Sequence, residues 1–405
     1  MEDLFLYSNH GLSMNNKETK SIRIQAERSQ HKEHSVPVYL TSSFMFESAE
    51  HGMQLFADEV DGNIYSRFSN PNTSEFVEKI AALENCEDGF AFATGMAAVF
   101  AGFAALLQSG DHILASRSLF GSSHQILTKI LPKWGITHTY VDADKPDTWE
   151  KEIIRKTKMI FVETPSNPAL EIIDLEWLGK LKDKYGLILN VDNCFATPVI
   201  QNPSDFGADL VTHSATKYID GQGRVLGGII VGKAELIKEI RFFARQTGPA
   251  LSPFNAWVLS KSLETLQIRM EKHSSNALKL ADSLANNSEL EFVKYPFLPT
   301  HPNFELAKKQ MKYGGGIVTI TLKGGFERAK RFINSVEMCS LSANLGDTRT
   351  IVTHPASTTH SKLSDQEQAA VGIFPGLIRI SVGLENIEDI TTDILNAIEK
   401  SKLVS

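Results

Sequence analysis

Three features of this 405-residue chain predict an open, mostly parallel α/β sheet backed by a smaller α+β unit. Short apolar runs without strict alternation recur from about residue 75. Stretches of helical period separate most of them. Strands covered on both faces read as continuous apolar runs, and parallel neighbours need long crossovers, usually helical. The length itself calls for more than one unit.

The elements follow in order. Residues 1–69 are polar and irregular, and read as an extended arm. The run from Gly89 to Leu107 carries no charge and first resembles a membrane span. It is rich in Ala and Gly, is broken at Thr94-Gly95 and follows Glu87 and Asp88, whereas a span wants about 20 strongly apolar residues. It is read as a strand, Phe90–Ala93, a tight turn and a buried helix from Met96. Further strands are expected at His112–Ser116, Thr137–Val141, Lys158–Glu163, Leu187–Asp192, Asp209–His213 and Gly228–Val231. They complete a mostly parallel seven-stranded sheet within residues 70–255. Beyond it, Trp257, Leu259, Leu263, Leu266 and Met270 recur at three- and four-residue steps, which predicts one long amphipathic helix. A strand at Ile317–Leu322, a helix at Phe326–Val336, a strand at Ile378–Val382 and a helix at Ile387–Lys400 fill the unit at 256–405. No internal repeat is visible.

Composition excludes several classes. Hydrophobic residues make up 42% and charged residues 22%, which suits a soluble globular chain and neither a disordered nor a collagenous one. Net charge is −7 with no dense Lys/Arg run, so no nucleic-acid partner is expected. Cys86, Cys194 and Cys339 are odd in number and far apart, with no CxxC, which predicts free thiols in a reducing compartment. The N-terminal MEDLFLYSNHGLSMNNKETK lacks a basic region followed by an apolar stretch, so no leader is expected and a cytoplasmic location is. Neither a metal nor a membrane contact is expected.

Ligands of open parallel sheets sit beyond the carboxyl ends of the strands. The first strand ends in Thr94-Gly95-Met96 at the start of a helix, where free backbone N–H groups can hold a phosphate. Lys158–Glu163 runs into Thr164-Pro165-Ser166-Asn167-Pro168. Leu187–Asp192 ends in a carboxylate followed by Asn193. Asp209–His213 runs into Ser214-Ala215-Thr216-Lys217. Taken singly, each has a bland reading: a solvated Lys, a capping Asp, a glycine that only turns the chain. Gathered on one edge, they match the demands of pyridoxal 5'-phosphate. That cofactor needs a Lys to bond it, an acid for its pyridine nitrogen and donors for its phosphate. Lys217 and Asp192 meet the first two demands; Ser214, Thr216, Gly95 and Met96 meet the third.

The motifs YSRFSNP (65–71), ATGMAA (93–98), VETPSNP (162–168), VDNCFATP (191–198), HSATKY (213–218) and RISVGLE (379–385) resemble, in order, the Cys/Met-metabolism family of pyridoxal phosphate enzymes. The resemblance spans roughly residues 20–400 and implies a fold type I transferase. It makes Lys217 the cofactor-bonding lysine and Asp192 the partner of the pyridine nitrogen. Thr94, Gly95, Met96, Ser214 and Thr216 become the phosphate cradle. Asn167 would bond the ring oxygen. Arg379, with Asn344, Asn167 and Tyr65, would bind the substrate, Arg379 taking the α-carboxylate through its fork of donors. Tyr65 and Arg67 would reach the phosphate of a neighbouring subunit, which implies shared sites and a homotetramer built as a dimer of dimers.

The chain also departs from the family pattern. Phe120 stands where most members place a Tyr that stacks on the cofactor, so stacking survives and the phenol does not. Cys194 replaces a common Thr, and Asn344 a common Ser. The stretches ERSQHKEHS (27–35), SRSLFGSS (116–123), KYIDGQGRVLGG (217–228) and NLGDTRTIVTHPASTTH (344–360) resemble the branch that joins O-succinylhomoserine to sulfide. The implied substrates are a homoserine ester and sulfide. O-acetyl esters, cysteine as nucleophile and γ-elimination stay open. Arg224 is a candidate cation for a succinyl carboxylate, set against a plain ion pair with Asp220.

Overall fold

Seven strands form the larger sheet of the computed structural model: Asp88–Phe92 (β1), His112–Ser116 (β2), Thr137–Val141 (β3), Thr157–Glu163 (β4), Ile188–Asp192 (β5), Leu210–His213 (β6) and Gly228–Gly232 (β7). Their order is β1-β7-β6-β5-β4-β2-β3. Only β7 runs against its neighbours, β1 and β6; the other pairs are parallel. The structure describes residues 14–402 except His360, Lys362 and Leu363, so the start of the expected arm and the end of the 344–360 motif lie outside the described residues.

The unbroken apolar runs have the expected cause. Leu114, Ile160, Val162, Leu189 and Val191 pack into one core, while Ile113, Ala115, Met159 and Phe161 from the same strands pack into another. Each fully buried aliphatic or aromatic side chain stabilises by about 1.5–3 kcal/mol relative to exposure. The expected strands sit within two residues of the observed ones, the usual fraying of element ends.

The arm is not irregular throughout. It contains two helices, Lys17–Arg23 (α1) and Ala49–Phe56 (α2). Ser48 starts α2 by accepting from the His51 amide at 3.1 Å, a capping signal that a polar composition hides. The next helix, Pro71–Leu83 (α3), carries a capping box between Asn70 and Thr73. Gly95–Ala104 (α4) follows β1.

The single long helix is a pair, Pro253–Leu263 and Leu266–Leu284. Apolar spacing continues across the break, so period alone cannot reveal it. Buried Arg269 accounts for it. Its Nη2 donates to the Ser262 carbonyl at 2.9 Å, its Nε to Thr265 Oγ1, and its Nη1 to the Tyr218 carbonyl at 2.6 Å. The break therefore buttresses the segment just after Lys217.

The smaller sheet has five strands where two were expected. They are Leu290–Lys294 (β8), Ile317–Leu322 (β9), Ser340–Leu341 (β10), Ile351–Thr353 (β11) and Leu377–Ser381 (β12), ordered β10-β11-β12-β9-β8. β10 and β11 are too short to carry a period, and β8 mixes Glu, Lys, Leu, Phe and Val. The helices at Gly325–Ile333 and Ile387–Lys400 fall near their expected places. Leu259, Leu263, Leu266, Met270 and Ile317 join the core of the larger sheet, so one apolar core crosses residue 256. Among the described residues, no helix is long and apolar enough to cross a membrane.

Candidate active site

Lys217 lies just after β6, and its Nζ donates to Asn344 Oδ1 at 2.7 Å. Asn344 sits on the loop between β10 and β11. Its backbone carbonyl accepts from Arg379 Nη2 at 2.9 Å, and Arg379 Nη1 donates to Asn167 Oδ1 at 3.1 Å. Four expected site residues, from both sheets, thus form one chain of contacts. The loop can lie this close because Gly346 has φ 75°; a Cβ there would meet the Tyr218 amide nitrogen at 2.6 Å. Gly346 N also donates to Ser381 Oγ on β12 at 2.8 Å.

Burial pushes the Lys217 amine below its ordinary range; the thiol of Cys194 opposes this and the charge of Arg379 adds to it. The charged form is thereby disfavoured relative to a solvated lysine. Arg379 is itself buried, and burial lowers its guanidinium to about 10, so it stays a cation at neutral pH. Its Nε is buried with no acceptor among the described residues. A buried donor left unpaired costs about 1–3 kcal/mol, which a carboxylate would remove.

Asp192 ends β5. The Cys194 amide donates to its Oδ1 at 3.0 Å. Burial pushes its carboxyl up to about 6, while that amide and the charge of His213 pull it down. Beyond β1, Thr94 caps α4 by accepting from the Ala97 amide at 3.1 Å, so its hydroxyl serves the helix. The first amides of a helix lack intrahelical partners and sit at the positive end of its dipole. A Cβ on Gly95 would lie 2.6 Å from Ser214 Cβ, so only glycine lets this helix start press against the Ser214 turn. Thr216 Oγ1 accepts from Gly227 N at 3.1 Å and donates to Gly227 O at 3.3 Å, which orients the same turn. Phe120 is half-buried just after β2, and its amide donates to Glu163 Oε2 at 2.8 Å.

A sequence profile of the family described as "Cys/Met metabolism PLP-dependent enzyme" matches residues 18–399. The chain belongs to that family. It is 45% identical over 377 residues to the O-succinylhomoserine sulfhydrylase of Pseudomonas aeruginosa, covering 93% of this chain and 94% of the relative. It is 42% identical over 369 residues to an L-methionine gamma-lyase of Fusobacterium nucleatum, covering 90% and 93%. The metY structure of Campylobacter jejuni, which carries an N'-pyridoxyl-lysine-5'-monophosphate, superposes with a TM-score of 0.91 at 33% identity and covers 95% of this chain and 100% of its own. The fold is that of the fold type I enzymes, and the cofactor is pyridoxal 5'-phosphate. The residues in place fit that group: an amine whose charge burial disfavours, a half-buried acid, a helix start pressed against a hydroxyl turn, and a buried guanidinium with a spare donor.

Other expected residues lie elsewhere in this single chain. Arg67 Nη1 donates to the Arg245 carbonyl, and its guanidinium lies 4.8 Å from the ring centroid of Phe68 and 5.4 Å from that of exposed Tyr65. Among the described residues, neither Tyr65 nor Arg67 bonds to the Lys217 cluster. Arg224 is held by Asp220, with Nε to Oδ1 at 3.0 Å and Nη2 to the Asp220 carbonyl at 3.1 Å, and also by Ser262 Oγ. That clasp favours the ion-pair reading over a contact with a leaving group. Sequence reasoning missed the Glu163 contacts and the buried His213 Nε2 to Glu84 Oε1 contact at 2.6 Å. Glu84 is 129 residues from His213, and no local pattern links them.

Proposed function

We propose that this enzyme joins O-succinylhomoserine to sulfide, releasing homocysteine and succinate, a γ-replacement in methionine biosynthesis by direct sulfhydrylation. The observation that carries the reading is the Lys217–Asn344–Arg379–Asn167 chain of contacts, whose unpaired Arg379 Nε suits an amino-acid carboxylate. The choice of ester rests on the Pseudomonas relative, and the sulfhydrylase and lyase relatives are similar in identity.

Pyridoxal phosphate, when bound, withdraws electrons from the substrate α-carbon. Lys217 would hold it through Nζ, and the same amine, when free, would take the α-proton of the substrate. Asn344 Oδ1 holds that amine, and its placement by Arg379 couples proton transfer to carboxylate binding. Phe120 has no proton to give, so Lys217 also serves the β-carbon. Asp192 would keep the pyridine nitrogen protonated. Asn167 would bond the ring oxygen, Phe120 would stack on the ring, and the start of α4 with Ser214 and Thr216 would hold the phosphate.

The test offers O-succinyl-, O-acetyl- and O-phosphorylhomoserine with sulfide, with cysteine or with no added nucleophile. Homocysteine from the succinyl ester and sulfide should dominate. Preferred formation of cystathionine, or of ammonia and a keto acid, overturns the reading.

The arm belongs to the same proposal. Residues 1–69 complete a neighbour's site, 70–255 bind the cofactor and 256–405 close over it, in a homotetramer, a dimer of dimers, in the cytoplasm. Leu40, Met45, Met53 and Phe56 are exposed apolar residues of the arm, which supports its burial against a second copy. Arg67→Ala and Lys217→Ala should each be inactive alone. Mixed and allowed to exchange subunits, they should regain about a quarter of wild-type activity, because random pairing gives half the dimers one intact site of two. Verified exchange without recovery rejects the shared site.

A further inference from the structure

Glu163 is the last residue of β4 and is buried, with 5% of its surface exposed. Its register partner on β5 is Asp192. One carboxylate oxygen accepts from the Asn167 amide at 3.0 Å and the other from the Phe120 amide at 2.8 Å. The two residues come from different loops, one after β4 and one after β2, and no other side chain among the described residues bonds to both amides. Both carboxyl oxygens are thus used, and the two hydrogen bonds span the gap between the loops.

We propose that Glu163 is a positioning residue that clamps Phe120 and Asn167 in the places from which they hold the cofactor ring. Ser118 Oγ to Glu171 Oε2 is a second tie between the loops, and it anchors their outer parts. Glu163 acts beside the ring. Its carboxyl is pushed up by burial and by Asp192, and the two amides oppose that push. A side chain that only stabilised the sheet would have no need to meet both cofactor-lining residues.

The inference rests on Phe120 and Asn167 lining the cofactor, and the experiment separates the two ideas. Pyridoxal phosphate is titrated into apo-enzyme, and its Kd and induced circular dichroism are read for the wild type, E163Q, F120A, N167A and F120A/N167A with and without E163Q. The amide of E163Q offers one acceptor oxygen to two N–H donors, so one loop loses its tie. E163Q should weaken the cofactor by about tenfold and reduce its induced dichroism. In the F120A/N167A background the same change should cost less than about twofold, because nothing remains to be positioned. If E163Q leaves Kd within about twofold of wild type, or keeps its full cost in the double-alanine background, the clamp is overturned. If F120A and N167A leave Kd unchanged, the reading of the cofactor site has failed instead. Should E163Q not fold, E163D carries the same test, since it keeps the carboxyl group and is one methylene too short to reach both amides.

Discussion

Lys217→Ala should lower homocysteine formation by at least about 10⁴-fold and leave a folded chain. On the proposed reading the substitution removes two things at once: the amine that bonds pyridoxal phosphate, and the base that moves protons at the substrate carbons. General acid–base catalysis alone contributes about 10²–10⁴-fold, and loss of the covalent anchor adds to it. Burial lowers the pKa of the Lys217 amine, which disfavours its charged form relative to a solvated lysine. The fold depends little on it. Lys217 is half-buried and its side chain makes one hydrogen bond, to Asn344. The apo-variant should melt within a few degrees of the apo-wild type, because one net hydrogen bond is worth about 0.5–1.5 kcal/mol. Rates and apo melting curves check both halves. Near-normal turnover would remove Lys217 from the chemistry.

What the sequence made legible follows a physical pattern. The larger sheet was readable because its strands are buried on both faces, which leaves runs such as Met159–Val162 with no polar residue. Asp192 and Lys217 could be placed at or just beyond strand ends, where parallel sheets place ligands. The break before Leu266 was not, since Arg269 caps it from the far side of the helix. β10 and β11 were not, since two or three residues cannot show a period. The tie between Lys217 and Asn344 spans 127 positions, and that between Asn167 and Arg379 spans 212. Such contacts are set by how the two sheets meet, and local pattern says nothing of that. Arg224 had two readings, an ion pair with Asp220 and a contact with a leaving group. Glycine spacing near Lys217 suggested reach toward the site, yet Asp220, four residues earlier, claims its guanidinium.

Arg379→Lys should raise KM for the amino-acid substrate by about 10²-fold and also lower kcat. The guanidinium offers five donors in a fixed plane; lysine offers three on a flexible stem. In the folded chain Nη1 serves Asn167, and Nη2 serves the carbonyls of Asn344 and Ala343, which leaves the buried Nε for a ligand. A charge-assisted contact to the α-carboxylate is worth about 1.5–3 kcal/mol, or roughly ten- to a hundredfold, and loss of the fork removes a second. The fall in kcat has a separate cause. Arg379 fixes Asn344, and Asn344 holds the Lys217 amine, so a slack Arg379 position loosens the base. An amine analogue lacking the α-carboxylate separates this role from a structural one. It should bind wild type and variant about equally, whereas the full amino acid should discriminate by about 10²-fold. Equal losses for both ligands would place the effect in the packing of β12 rather than in carboxylate recognition.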